Sequence, residues 1–168
     1  SSHLPAFKKL HAIDLVICNG ENSADGNGIT PRSADHLFAS SVDVITLGNH
    51  SFRRPEVYPY LEDQPYILRP CNFPQGTTPG RGWCTVDMGY TTVAVINAMG
   101  QESIDAHLDN PFTAVDKLLG EITIRLTRMI SGFTVTVQVA VTLGLLFDLT
   151  VMVTVPDDDP AVTTPSTT

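Results

Sequence analysis

Hydrophobic and polar positions follow different periods along the chain, and each period predicts an element. Leu4, Phe7, Lys8 and His11 have helical spacing, and Leu10 extends the apolar stripe. Ile13 to Cys18 and Val42 to Leu47 are short apolar runs that read as buried strands. Each run ends in a polar loop, Asn19-Gly20-Glu21-Asn22 after the first and Gly48-Asn49-His50 after the second. Between them, Ser23 to Gly28 is rich in turn residues and reads as a loop. Thr30 as N-cap and Pro31 in the first turn then open a helix to about Ser40. Leu37 and Phe38 face the sheet with Ala34 beside them, and His36 faces solvent. Strand, crossover helix and strand make a βαβ unit, hence an α/β fold.

Further along, Pro55 to Leu61 predicts a short helix or turn, and Tyr66-Ile67-Leu68 a brief strand. Cys71 to Gly82 is rich in Pro and Gly and is expected to be an ordered loop. Trp83 to Met88 and Thr91 to Ile96 read as paired strands turning at Gly89-Tyr90, with a loop from Asn97 to Gly100. Asn110-Pro111 repeats the cap-then-proline signal. It opens a helix to about Ile122 with Phe112, Val115, Leu118 and Leu119 inward. Phe133 to Leu143 alternates apolar with polar residues, the period of a strand with one wet face, and Thr150 to Val155 is another strand. The domain is expected to span residues 1–155, with 156–168 as a polar, mobile tail containing Asp157-Asp158-Asp159.

Length and charge narrow the classes. A chain of 168 residues suits one domain with a sizeable core, and 42% apolar with 17% charged residues is globular. A net charge of −8 argues against a nucleic-acid duplex as partner but leaves a small phosphate ester open. Met129 to Phe147 carries no charge, yet Thr and Gln recur at alternate positions and Gly132 and Gly144 interrupt it, so no membrane span is expected. Cys18, Cys71 and Cys84 are widely spaced and read as reduced thiols of a cytoplasmic protein. Arg53 and Arg54 could steer an anion, although a solvated surface pair is the plainer reading.

The two loops carry the chemistry. Ligands collect outside the carboxyl ends of strands in open α/β sheets, and carboxylate, amide and imidazole groups suit a hard or borderline divalent metal. The plain alternative is that Asn19, Asn22 and Asn49 stabilise turns and Glu21 is solvated. With both loops, the Gly-rich stretch to Gly28-Ile29-Thr30 and Leu68-Arg69-Pro70-Cys71-Asn72-Phe73-Pro74, the chain resembles a bacterial branch of the calcineurin-like metallophosphoesterases, the branch named for 2′,3′-cyclic-nucleotide phosphodiesterase activity. The resemblance runs from about Leu4 to about Ile122 and diverges beyond.

That resemblance implies a metallophosphoesterase-like layered sandwich with a mixed β-sheet, incomplete relative to the family. It implies two divalent metal ions (manganese, iron or magnesium) with Glu21, Asn22 and Asn49 as metal ligands. His50 would be the catalytic residue, contacting the phosphate or protonating the leaving oxygen. The family's first strand, ending in a Gly-Asp pair whose Asp ligates metal, has no counterpart before Ser1. Its later histidine loops align with Phe133-Thr134 and Val153-Thr154-Val155-Pro156, where no His stands. A truncated or frame-disrupted gene product is therefore expected, and exposed strand edges would favour a homo-oligomer. The implied function is a metal-dependent phosphodiesterase acting on cyclic nucleotides or similar phosphate esters. The alternative is a catalytically inactive α/β binding module.

Overall fold

The computed structural model describes residues 3–101, 104, 107–129, 136–141 and 148–156, with side chains described up to Ile124. In chain order the elements are α1 (Leu4–Leu10), β1 (Ile17–Asn19), α2 (Pro31–Ala39), β2 (Val44–Thr46), a 3-10 turn (Pro55–Val57) running into α3 (Tyr58–Asp63), β3 (Ile67–Leu68), β4 (Trp83–Asp87), β5 (Thr91–Met99), α4 (Pro111–Met129), β6 (Thr136–Val141) and β7 (Asp148–Pro156). Among the described residues, parallel and antiparallel strands do not share one mixed sheet. They form a three-stranded parallel sheet, β1-β2-β3, and a four-stranded antiparallel sheet, β4-β5-β7-β6.

Strand alternation builds the layers. Ile45 and Ile67 point toward the helices and pack with Ala34, Leu37 and Leu61, whereas Val44 and Leu68 point the other way onto Cys84, Val93 and Val95. On β5 the alternate residues Ala94, Ile96 and Ala98 face Val115, Leu118 and Ile122 of α4. The order is therefore helices, parallel sheet, antiparallel sheet, helix. Ile45, Ile67, Leu68, Val95 and Ile96 are fully buried, each contributing about 1.5–3 kcal/mol by leaving water.

Local signals explain the ends of the elements. Thr30 and Ser33 form a reciprocal capping box with Pro31 in the first turn, and Asn110 Oδ1 accepts from Phe112 N and Thr113 N to start α4. β1 starts at Ile17 rather than Ile13 because the preceding turn uses the backbone. Ile13 N–H donates to Lys8 O, Ala12 has φ 48°, and Val16 N–H donates to the Asp43 carboxylate, which also pairs with Lys8.

Several expectations need correction. Asn97 to Met99 is strand, not loop, because β7 pairs with it through Asp148, Leu149 and Thr150. α4 continues past Ile122 to Met129, and Phe112 is 73% exposed because Ala114, Val115, Leu118, Leu119 and Ile122 form the inner face. Leu10 is 78% exposed, since α1 lays only Leu4 against the core. Of the run Phe133 to Leu143, residues 136–141 form β6, while 133–135 and 142–143 lie outside the described residues, as does 157–168. Among the described residues no helix is long and apolar enough to cross a membrane.

Candidate functional site

Both site loops leave the parallel sheet at its carboxyl edge. After β1, Asn19 Oδ1 accepts from Glu21 N at 3.0 Å, an Asx turn, while Gly20 N–H donates to Thr46 O at 2.9 Å. A Cβ on Gly20 would stand 2.7 Å from Ile45 Cγ2, so glycine lets the loop hug β2. Glu21 is thereby carried under the turn that follows β2. That turn is closed by Ser51, whose Oγ donates to Gly48 O at 2.6 Å.

The side chains meet across the two loops. His50 N–H donates to Glu21 Oε1 at 2.9 Å, and His50 Nδ1 lies 2.8 Å from Asn22 Oδ1. The amide oxygen only accepts, so Nδ1 carries the proton, and in the neutral ring Nε2 holds the free lone pair. The ring's Nδ1 is 3.8 Å from Glu21 Oε1. Glu21 is only 7% exposed, a buried carboxylate, while Asn22 is exposed and His50 half-buried. Gly48 carries Glu21 against its own Cα: a Cβ there would fall 2.5 Å from Glu21 Oε2. Asn49 is half-buried in the same turn but takes no part in the hydrogen bonds joining the other three.

Flanking residues hold this arrangement. Arg54 Nε donates to Asn27 O at 3.0 Å and its NH2 to Ala24 O at 3.3 Å, pinning the loop before α2 to the segment after His50. Arg54 is thus a half-buried clamp rather than a solvated surface residue; Arg53 is exposed. Behind the turn, Asn97 is 1% exposed, and its Nδ2 donates to Leu47 O at 2.6 Å and Leu68 O at 2.8 Å. One amide on β5 therefore ties down the ends of β2 and β3, just before Gly48. Asn72 does the same for the next loop, bonding Met99 and Asp109. The residues around Asn97 do not by themselves assign it this role. The available signal was an amide directly following the apolar run Thr92 to Ile96.

The donor types at these positions suit a divalent cation. Glu21 offers a carboxylate, Asn22 and Asn49 amide oxygens, and His50 an imidazole, all types that such ions accept. Among the described residues no three His, Cys, Asp or Glu side chains cluster where they could hold a metal ion, and Glu21 is the one carboxylate hydrogen-bonded to this turn. Two further cavities, lined in part by Arg81 and Trp83, include none of these four residues.

Known proteins resemble this chain in sequence and fold. It is 38% identical over 119 residues to a 2′,3′-cyclic-nucleotide 2′-phosphodiesterase of Bacillus subtilis, covering 71% of this chain and 44% of that protein. A crystal structure of a hypothetical protein from Thermus thermophilus superposes with a TM-score of 0.65 at 41% identity, covering 71% of this chain and 45% of that one. A phosphatase from Mycoplasma pneumoniae has the same fold at 24% identity, with a TM-score of 0.64 over 70% of this chain and 43% of its own. The chain thus spans less than half the length of the relatives it matches. Its match to the YmdB-like proteins covers residues 1–148, which places the chain in that family.

Proposed function

We propose that this chain carries part of a phosphoesterase site and acts as a metal-dependent phosphodiesterase on cyclic nucleotides or similar small phosphate esters. The observation that carries this reading is the contact between Glu21, His50 and Asn22 at the ends of two parallel strands. Relatives named phosphodiesterase and phosphatase support the reaction class.

Each residue then has a task. Glu21 and the amide oxygens of Asn22 and Asn49 would hold the divalent metal that this reading calls for. A bound ion supplies charge stabilisation for the phosphoryl oxygens and acidifies a water. Glu21 also fixes the backbone of the His50 turn, and Asn22 fixes the ring's tautomer through Nδ1. That leaves His50 Nε2 to carry a proton toward the leaving oxygen when the ring is protonated.

The test is hydrolysis of bis(p-nitrophenyl) phosphate with manganese. We expect turnover that chelator abolishes and that His50→Ala lowers by about 10²-fold or more. Equal turnover in His50→Ala would refute the role of that residue. Manganese binding without turnover in the wild type would identify the chain as a binding module instead.

A further inference from the structure

A second polar site lies away from Glu21 and His50. Arg69 follows β3 and is only 6% exposed. Its NH1 donates to Pro70 O at 2.9 Å, while its Nε has no hydrogen-bond partner. Among the described residues no carboxylate lies within ion-pair distance of this guanidinium. Burial pushes its pKa down, opposed by Cys71 and Glu62. Even so, arginine stays charged in proteins. A buried cation without a counter-ion is costly unless an anion or a set of acceptors completes it.

The surroundings provide room for one. Arg69 lines an open cavity of about 440 Å³ together with Gln75, Thr78, Arg81 and Trp83. The acidic residues on its wall make no ion pair with Arg69, and Glu62 acts on it only from a distance. Glu62 is exposed and accepts from Gly80 N–H at 2.9 Å, and Glu121 is exposed on α4. The cation is the buried group and the carboxylates belong to the rim. Gln75 and Thr78 add neutral hydrogen-bonding groups, and Arg81 a second guanidinium.

We infer that this cavity binds a small oxyanion, a phosphate or carboxylate group, with Arg69 as its charged floor and Arg81 at its rim. A planar guanidinium engages two oxygens of either group side by side. The site is independent of the one proposed for hydrolysis, since the two share no residue.

Trp83 is the chain's only tryptophan and lines the cavity, so its emission reports binding directly. The full chain is titrated with inorganic phosphate, and separately with acetate, against sodium chloride at matched ionic strength. A saturable change with either oxyanion, absent with chloride, is expected. Arg69→Gln should raise the half-saturating concentration about tenfold or more, and Arg81→Gln roughly threefold. His50→Ala should leave the curve unchanged, which separates this site from the hydrolytic one. No response beyond that of chloride overturns the proposal, as does loss of the response in His50→Ala. An unchanged curve in Arg69→Gln, with its fold confirmed by circular dichroism, also overturns it. If Arg69→Gln does not fold, Arg81→Gln decides: an unaltered curve there counts against the site.

Discussion

Substituting Gly48 by alanine separates damage to the site from damage to the fold. The new Cβ would lie 2.5 Å from Glu21 Oε2 and 2.6 Å from its Cδ. Comfortable contact begins near 3.5 Å, so the carboxylate must retreat by roughly 1 Å. It is the end of a flexible side chain and can do so at little steric cost. Retreat stretches the 2.9 Å bond from His50 N–H to Glu21 Oε1 beyond hydrogen-bonding range. Losing a charge-assisted bond in a buried setting costs about 1.5–3 kcal/mol. For a chain of this size that lowers Tm by about 2–4 °C per kcal/mol. Gly82→Ala is the control. Its Cβ would fall 2.4 Å from Cys71 Cα, where main chain must move, at a cost of about 3 kcal/mol. Differential scanning fluorimetry with and without manganese reads both effects. Manganese at a hundredfold excess over its Kd stabilises by about 2.7 kcal/mol. Gly48→Ala should lose most of that increment while keeping more intrinsic stability than Gly82→Ala. The reasoning fails if Gly48→Ala keeps the full manganese shift, or if Gly82→Ala is the variant that loses it.

Asn97→Leu keeps the branched shape of the side chain, with somewhat larger ends, but removes the donor shared by Leu47 O and Leu68 O, which should cost about 2–4 kcal/mol in a urea titration; a loss below about 0.5 kcal/mol would deny those bonds any weight. Burial pushes the Cys71 and Cys84 thiols up to about 11 from 9.0. The folded chain then holds protons that the unfolded chain releases, so stability should be level below pH 9 and fall from there to pH 11, by up to about 3 kcal/mol per thiol. The Cys71→Ala, Cys84→Ala double variant should show a shallower decline in urea midpoint over that window, and identical slopes would contradict the assignment.

Short-range signals carried much of this structure. Thr30-Pro31 and Asn110-Pro111 act through atoms of their own turns, so both helix starts lie where sequence places them. The two site loops were legible for the same reason: each is a polar break directly after an apolar run. What sequence could not reveal depended on distant partners. Asn97 looks like the start of a loop until β7 pairs beside it and two carbonyls from another sheet claim its amide. Phe112 shares the helical stripe of Val115, yet the inner face settles on Ala114 instead. Arg54 reads as one of a surface pair because its acceptors, Ala24 O and Asn27 O, are main-chain atoms of a loop far back in the chain.

The amide that reaches from β5 to the ends of β2 and β3 also bears on how the molecule comes apart. A parallel sheet of such short strands has few ladder bonds of its own with which to resist opening. Anchored from the opposite layer, it should borrow the persistence of a longer antiparallel ribbon, and the two are expected to melt as a single cooperative unit. Solvent deuterium should then enter the amides of Leu47 and Cys71 at the same slow rate as those in the middle of β5, despite their places beside loops.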